Sequence, residues 1–97
     1  MMFKKGKIKS KKRYEKDLGD LKVSVLLEVI DEEGNIHFGL DGGDYLEMKP
    51  QERGPSGYRT LDGAQQGDGV LFEAKDWKGI SVIMEVYLER LYKRTWY

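Results

Sequence analysis

Apolar and polar residues alternate along the segment from Leu21 to Ile30, which reads L-K-V-S-V-L-L-E-V-I. A period of two and an enrichment in branched side chains predict a β-strand. The next residues, D-E-E-G-N, suit a turn, because Asp31 favours its first position and Gly34 favours a left-handed backbone. Large apolar residues then return at every second position from Ile36 to Leu40. Together these features predict a β-hairpin.

A second strand–turn–strand pattern lies nearer the C-terminus. Residues 69–75 alternate as a strand, and D-W-K-G at positions 76–79 follows as a turn. Residues 80–97 fit both a helical and a strand period, but the branched side chains at their start disfavour a helix. We therefore predict a strand over residues 80–87 and a more helical segment from Leu88 onward.

Between the two hairpins the pattern is weaker. D-G-G-D at positions 41–44 predicts a turn, and residues 45–49 predict a short strand that Pro50 ends. Residues 51–69 contain five glycines and one proline without any periodicity. This composition predicts a long flexible loop, of the kind that is often functional.

These elements predict a mainly β fold: a small antiparallel barrel or curled sheet of five to six strands, with or without a C-terminal helix. An α+β fold is the alternative if residues 80–92 are helical. Small OB-like and SH3-like barrels have this size. The common OB pattern has a helix between its third and fourth strands, and the absence of a clear helix there in this sequence departs from that pattern. We divide the chain into a basic N-terminal arm, residues 1–16, and a single β-rich domain, residues 17–97.

Composition limits the classes of protein to which this chain can belong. Ninety-seven residues make one small domain, and the absence of cysteine excludes disulfides and thiolate chemistry. The longest uncharged apolar run is five residues, too short to cross a membrane, and the basic N-terminus lacks the apolar region of a secretory signal. We expect a cytoplasmic protein that uses no cofactor, metal or membrane.

Charge is unevenly distributed although the net charge is zero. Residues 1–16 carry eight Lys or Arg and one Glu, a net charge of about +7, whereas residues 17–79 carry six basic and fourteen acidic residues, about −8. Left alone, the arm is expected to be flexible because its charges repel one another. An edge strand that uses Phe3 and Ile8, or a bound partner, are the two ways to hold it.

The basic arm and the aromatic residues predict a small non-enzymatic nucleic-acid-binding protein, for single strands or for backbone contact without sequence reading. Clustered lysines gain affinity by releasing counterions from phosphates, and exposed aromatic side chains stack on bases. DNA and RNA are equally compatible with this pattern. The candidate binding residues are Lys4, Lys5, Lys7, Lys9, Lys11, Lys12, Arg13, Tyr14, Tyr45, Arg53, Tyr58, Arg59, Trp77, Arg90, Arg94 and Trp96.

A protein-binding adaptor or inhibitor, of the compact kind that mobile elements encode, is the alternative function. The acidic body would occupy a basic groove on a host protein, and exposed aromatic residues would anchor the contact. A homodimer is compatible with either function, either through paired edge strands or through the basic arm of one copy on the acidic surface of another.

Catalytic and metal motifs are missing from the sequence. His37 is the only histidine, and it lies on the strand face opposite Phe38, so we expect it to be exposed and without a nucleophile beside it. The Asp-Gly pairs lack the spacing of a calcium loop and read as turns. We therefore predict no catalytic residue and no metal site.

Overall fold

The structure is a computed structural model that describes residues 3–41 and 54–94, with side chains described up to residue 91. Its elements are six strands, a short 3-10 helix (Tyr58–Leu61) and one C-terminal helix. The strands and the helix are β1 (Lys4–Ser10), β2 (Tyr14–Asp17), β3 (Lys22–Asp31), β4 (Ile36–Leu40), β5 (Gly69–Trp77), β6 (Ile80–Leu88) and α1 (Glu89–Arg94).

Five of the strands close into a ring. The pairing order is β1-β5-β6-β4-β3, and β1 also pairs with β3, which completes the circle. β2 continues the path of β1 along the N-terminal half of β3. All pairs are antiparallel except β4 with β6, which run parallel at Phe38 and Val82. The prediction of a small, mainly β barrel is confirmed, and this connectivity is that of the OB type of five-stranded Greek-key barrel.

The β3–β4 hairpin turns where the sequence predicts it. The carboxylate of Asp31 accepts hydrogen bonds from the backbone N–H groups of Glu33 and Asn35, both at 2.9 Å. Gly34 adopts a left-handed backbone with φ of 88°, and its N–H donates to the carbonyl of Asp31. An aspartate that satisfies the turn's own N–H groups fixes the register of the hairpin.

The β5–β6 hairpin is tighter than predicted. Its turn consists of Lys78 and Gly79, both with positive φ (50° and 84°), the backbone of a two-residue type I′ turn. Trp77 is therefore the last residue of β5, paired with Ile80, and it is only 7% exposed. The expectation that Trp77 lies in the turn as an exposed contact residue is wrong. The change from strand to helix after Leu88 is confirmed.

Two hydrophobic clusters hold the sheet together. The larger one fills the ring and contains Leu27, Val29 and Phe72, all fully buried. The second one contains Val23, Val25, Leu40, Val82 and Trp77. A bulge in β3 between Val25 and Leu27 shifts the register, so that consecutive parts of one strand contribute to different clusters.

The basic arm forms part of the barrel. It supplies β1 and all of β2 except the last residue, Asp17, and Ile8 is buried in the core with 1% exposure. Gly6 pairs with both Asp31 of β3 and Val70 of β5. A Cβ at Gly6 would lie 2.7 Å from the carbonyl oxygen of Ile30, so only glycine lets β1 pass between its two neighbours.

Much of the predicted flexible loop is tied to the barrel. Ser56 exchanges backbone hydrogen bonds with β6, through Met84 and Val86. The 3-10 helix that follows buries Leu61 in the larger cluster. The prediction of an unanchored loop is therefore wrong for residues 54–69, whereas residues 51–53 and the predicted strand at 45–49 lie outside the described residues.

Candidate nucleic-acid interface

The lysines of β1 project from one side of the barrel. Ile8 points into the core, so the alternation of the strand directs Lys5 and Lys7 outward, and Lys9, at a register shift between Ile8 and Ser10, is exposed beside them. Lys4 and Lys12 are exposed as well. These residues continue into β2, whose Tyr14 and Lys16 share the face of the neighbouring Val25 and Val23. We name Lys5, Lys7, Lys9, Lys12, Arg13, Tyr14 and Lys16 the basic ridge.

Three cations of the ridge have carboxylate partners within the chain. Arg13 lies 3.0 Å from Asp41, Lys9 lies 3.5 Å from Glu28, and Lys5 lies 3.6 Å from Glu89. The side chains of the three cations stay 50–62% exposed. Exposed pairs of this kind contribute little stability, so these cations remain available to a stronger anion.

Lys11 has a different task from its neighbours. Its Nζ donates to the carbonyl of Leu61 at 2.7 Å and to the carbonyl of Ala64 at 3.3 Å. These carbonyls lie at the end of the 3-10 helix, where backbone acceptors need partners. Lys11 therefore anchors the arm to the barrel rather than adding to the ridge.

Two ridge residues involve aromatic rings: Tyr14 carries one, and Lys16 contacts the ring of Phe38. The Tyr14 ring is 37% exposed, and its hydroxyl donates to Glu28. Partial burial raises the pKa of the Tyr14 phenol, and the hydrogen bond to the Glu28 carboxylate and its negative charge raise this pKa further. Lys16 Nζ lies 4.8 Å from the centroid of the Phe38 ring, within the range of a cation–π contact.

The remaining predicted site residues do not gather on the ridge. Tyr58 is half-buried and packs against the larger cluster, and burial raises the pKa of its phenol. Arg59 is exposed on the 3-10 helix, and Arg90 is exposed 3.8 Å from Asp68. Trp77 is buried in the second cluster and is removed from the set of stacking candidates. Tyr45, Arg53 and Trp96 lie outside the described residues, as does the side chain of Arg94.

A buried polar network was missed by the sequence reasoning. His37 is 4% exposed, its Nε2 lies 2.8 Å from Asp31, and its Nδ1 lies 2.6 Å from the hydroxyl of Ser81. The expectations that His37 is exposed and that no serine lies beside it are both wrong. The hydrogen bond from His37, with those from the turn N–H groups, lowers the pKa of the Asp31 carboxyl to about 2.

Carboxylate, imidazole and hydroxyl are connected as in an activated nucleophile. The side chains of Asp31 and His37 are each only 5% exposed, however, and the imidazole packs against Phe72 with ring centroids 4.7 Å apart. A substrate must reach hydrogen-bond distance of such a group. We therefore interpret the network as structural, because it links the β3–β4 turn to β6 across the parallel pair of β4 and β6.

Two adjoining clefts lie beside the N-terminal end of the ridge. Their volumes are about 460 and 330 Å³, and both are lined by Lys5, Asp31 and Glu32. Lysines and carboxylates face each other there, so the clefts favour neither anions nor cations. Within residues 3–41 and 54–91, no cluster of three or more acidic or histidine side chains is placed to hold a metal ion.

Comparison with known proteins gives no family. No protein-family model matches the chain, and no curated protein or solved structure shows significant similarity to it. In the part of the chain that the structure describes, no helix is both long and apolar enough to span a bilayer.

Proposed function

We propose that this protein binds single-stranded nucleic acid through the phosphate backbone, without reading the sequence. The observation that carries this proposal is the outward alignment of Lys5, Lys7 and Lys9 on β1, continued by Lys16 beside exposed Tyr14 on β2. A rigid strand presents these charges as a line, which suits an extended polyanion better than a compact anion.

The chemistry of the ridge supports contact with phosphate rather than with base edges. Lysine is a flexible point charge, and it lacks the planar fork with which arginine recognises guanine. Tyr14, which is 37% exposed, supplies aromatic surface where a base can stack, whereas Phe38 on the same face packs against the second cluster beneath Lys16. Barrels of the OB type bind oligonucleotides on the face of the second and third strands of the ring, which here are β3 and β4 because β1 and β2 together occupy the place of the first strand; this is support by analogy of fold.

The test is a titration of a fluorescent single-stranded oligonucleotide at several salt concentrations, read by anisotropy. Lys7→Gln removes a ridge charge that has no ion-pair partner within the described residues, and Lys22→Gln, at the start of β3, is the matched control outside the ridge. Each lost phosphate contact reduces the slope of log K against log salt by about 0.7. We expect that reduction for Lys7→Gln alone.

The outcomes separate clearly. Absence of binding by the unaltered protein at low salt would refute the proposal. Equal effects of the two substitutions would mean that the ridge is not the contact surface, even if binding is observed.

A protein-binding adaptor is the second candidate, and the paired charges favour it. Glu28, Asp41 and Glu89 neutralise three cations of the ridge, which weakens the field that attracts a polyanion. A pull-down from lysate with nuclease treatment distinguishes the two functions, because a protein partner survives the nuclease. The homodimer stays a prediction that light scattering at low and high salt tests.

A further inference from the structure

Two donors of the basic ridge converge on one carboxylate. Lys9 Nζ lies 3.5 Å from Oε1 of Glu28, and the hydroxyl of Tyr14 donates to Oε2 of the same side chain. The donors come from β1 and β2, on either side of the break between these strands, while Glu28 belongs to β3. Each carboxylate oxygen therefore has its own donor, which is the arrangement of a small anion site with a resident anion.

We infer that Lys9 and Tyr14 form a phosphate-binding site that Glu28 fills in the free protein, and that a phosphate of a bound single strand displaces this carboxylate. The inference rests on the proposed function and deepens it. Phosphate and carboxylate accept the same pair of charge-assisted hydrogen bonds, so the two donors suit either anion.

The surroundings of the pair suit such an exchange. The Lys9 side chain is 50% exposed and the Glu28 side chain is 15% exposed, so an incoming anion reaches the lysine from solvent. A lysine–carboxylate pair at a surface is weak and is screened by salt. Glu28 lies opposite Phe38 on β4, and Lys16 covers that ring, so the site adjoins the aromatic part of the ridge.

The exchange has a measurable signature. In the unaltered protein Lys9 is already neutralised, so a phosphate that replaces Glu28 adds little counterion release. Glu28→Gln leaves Lys9 unpaired, and one further phosphate contact then steepens the salt slope by about 0.7, which is about a fivefold larger loss of affinity for each tenfold rise in salt.

The experiment compares Glu28→Gln with Glu15→Gln by oligonucleotide anisotropy over a range of salt concentrations. Glu15 lies next to Tyr14 in β2, is exposed, and points to the other face of the strand, so its substitution changes the net charge equally without freeing Lys9. Tyr14→Phe in the Glu28→Gln background removes the second donor and is expected to reverse part of the gain. Thermal melts of all variants verify that each is folded.

Each outcome decides one question. Tighter binding and a steeper salt slope for Glu28→Gln than for Glu15→Gln support the inference. Binding by all variants with identical slopes for these two substitutions overturns the inference and leaves the proposed function standing. Absence of binding by every variant at low salt overturns both.

Discussion

Removal of the Ser81 hydroxyl tests the buried network most directly. Ser81→Ala deletes the atom that lies 2.6 Å from Nδ1 of His37 and leaves the imidazole otherwise in place. When the ring is neutral, its Nε2 carries the proton that faces Asp31, because a carboxylate only accepts, and Nδ1 accepts from the serine. The substitution therefore leaves a buried acceptor without its donor.

The size of the expected loss of stability follows from the burial of His37. His37 is 4% exposed, so water replaces the lost partner poorly, and an unsatisfied buried polar group costs about 1–3 kcal/mol. Ser81 itself is only partly buried, which admits some relaxation and places the expected loss at about 1–2 kcal/mol. For a domain of this size that loss lowers Tm by roughly 4–15 °C.

The assay is urea denaturation followed by circular dichroism, with Ser56→Ala as the matched control. Ser56 also lies beside β6, but it is exposed and its hydrogen bonds to β6 come from the backbone. We therefore expect almost no change in the free energy of unfolding for Ser56→Ala. His37→Phe, alone and with Ser81→Ala, completes a double-mutant cycle. The cycle isolates the interaction energy between His37 and Ser81, because phenylalanine at position 37 has no nitrogen with which the serine hydroxyl can form a hydrogen bond.

Two results would refute this reasoning. One is a loss for Ser81→Ala that stays within about 0.5 kcal/mol of the Ser56→Ala value, the usual range for a neutral surface substitution. The other is strict additivity of the two changes in the cycle, which would mean that the 2.6 Å contact carries no interaction energy.

Two further predictions concern the barrel. Gly6→Ala places a Cβ 2.7 Å from both the Ile30 carbonyl oxygen and a Val29 methyl, so urea denaturation should show a loss of about 1–3 kcal/mol. Gly69→Ala is its control, since it meets the flexible end of a glutamate, and similar losses for both would contradict the steric explanation. Asp31 has a folded pKa of about 2 against 3.8 normally, so its stabilising contribution is present above pH 3.8 and is lost as the pH falls through 2. The stability difference between the unaltered protein and Asp31→Asn should therefore shrink as the pH falls from about 4 towards 2; a difference that does not change over that interval would exclude this role.

The local elements are largely readable from the sequence. The strand at Leu21–Ile30, the turn at Asp31–Gly34 and the change from strand to helix near Leu88 follow from residue period and turn chemistry. These features depend on neighbours in the chain, and the side-chain period of a strand is independent of what covers it.

The burial of individual side chains was decided by the tertiary structure. The alternation of β4 correctly places His37 and Phe38 on opposite faces, but both faces are covered, one by the ring interior and one by the second cluster. When both faces of a strand are buried, a polar residue in the alternating pattern no longer has to face water. Trp77 is buried for a related reason, because the type I′ turn of Lys78 and Gly79 extends β5 by two residues.

The candidate site divides in the same way. Charge segregation identified the lysines of residues 4–12 and Tyr14, since a local excess of charge is a property of the sequence. Other features of the site depend on contacts between residues 14 to 53 positions apart. Such contacts hold the lysines in line on β1, bind Lys11 to backbone carbonyls, and bring Lys9 and Tyr14 together at Glu28. No periodic pattern encodes such contacts, because these residues are distant in the sequence and become neighbours only when the strands pair into a closed ring.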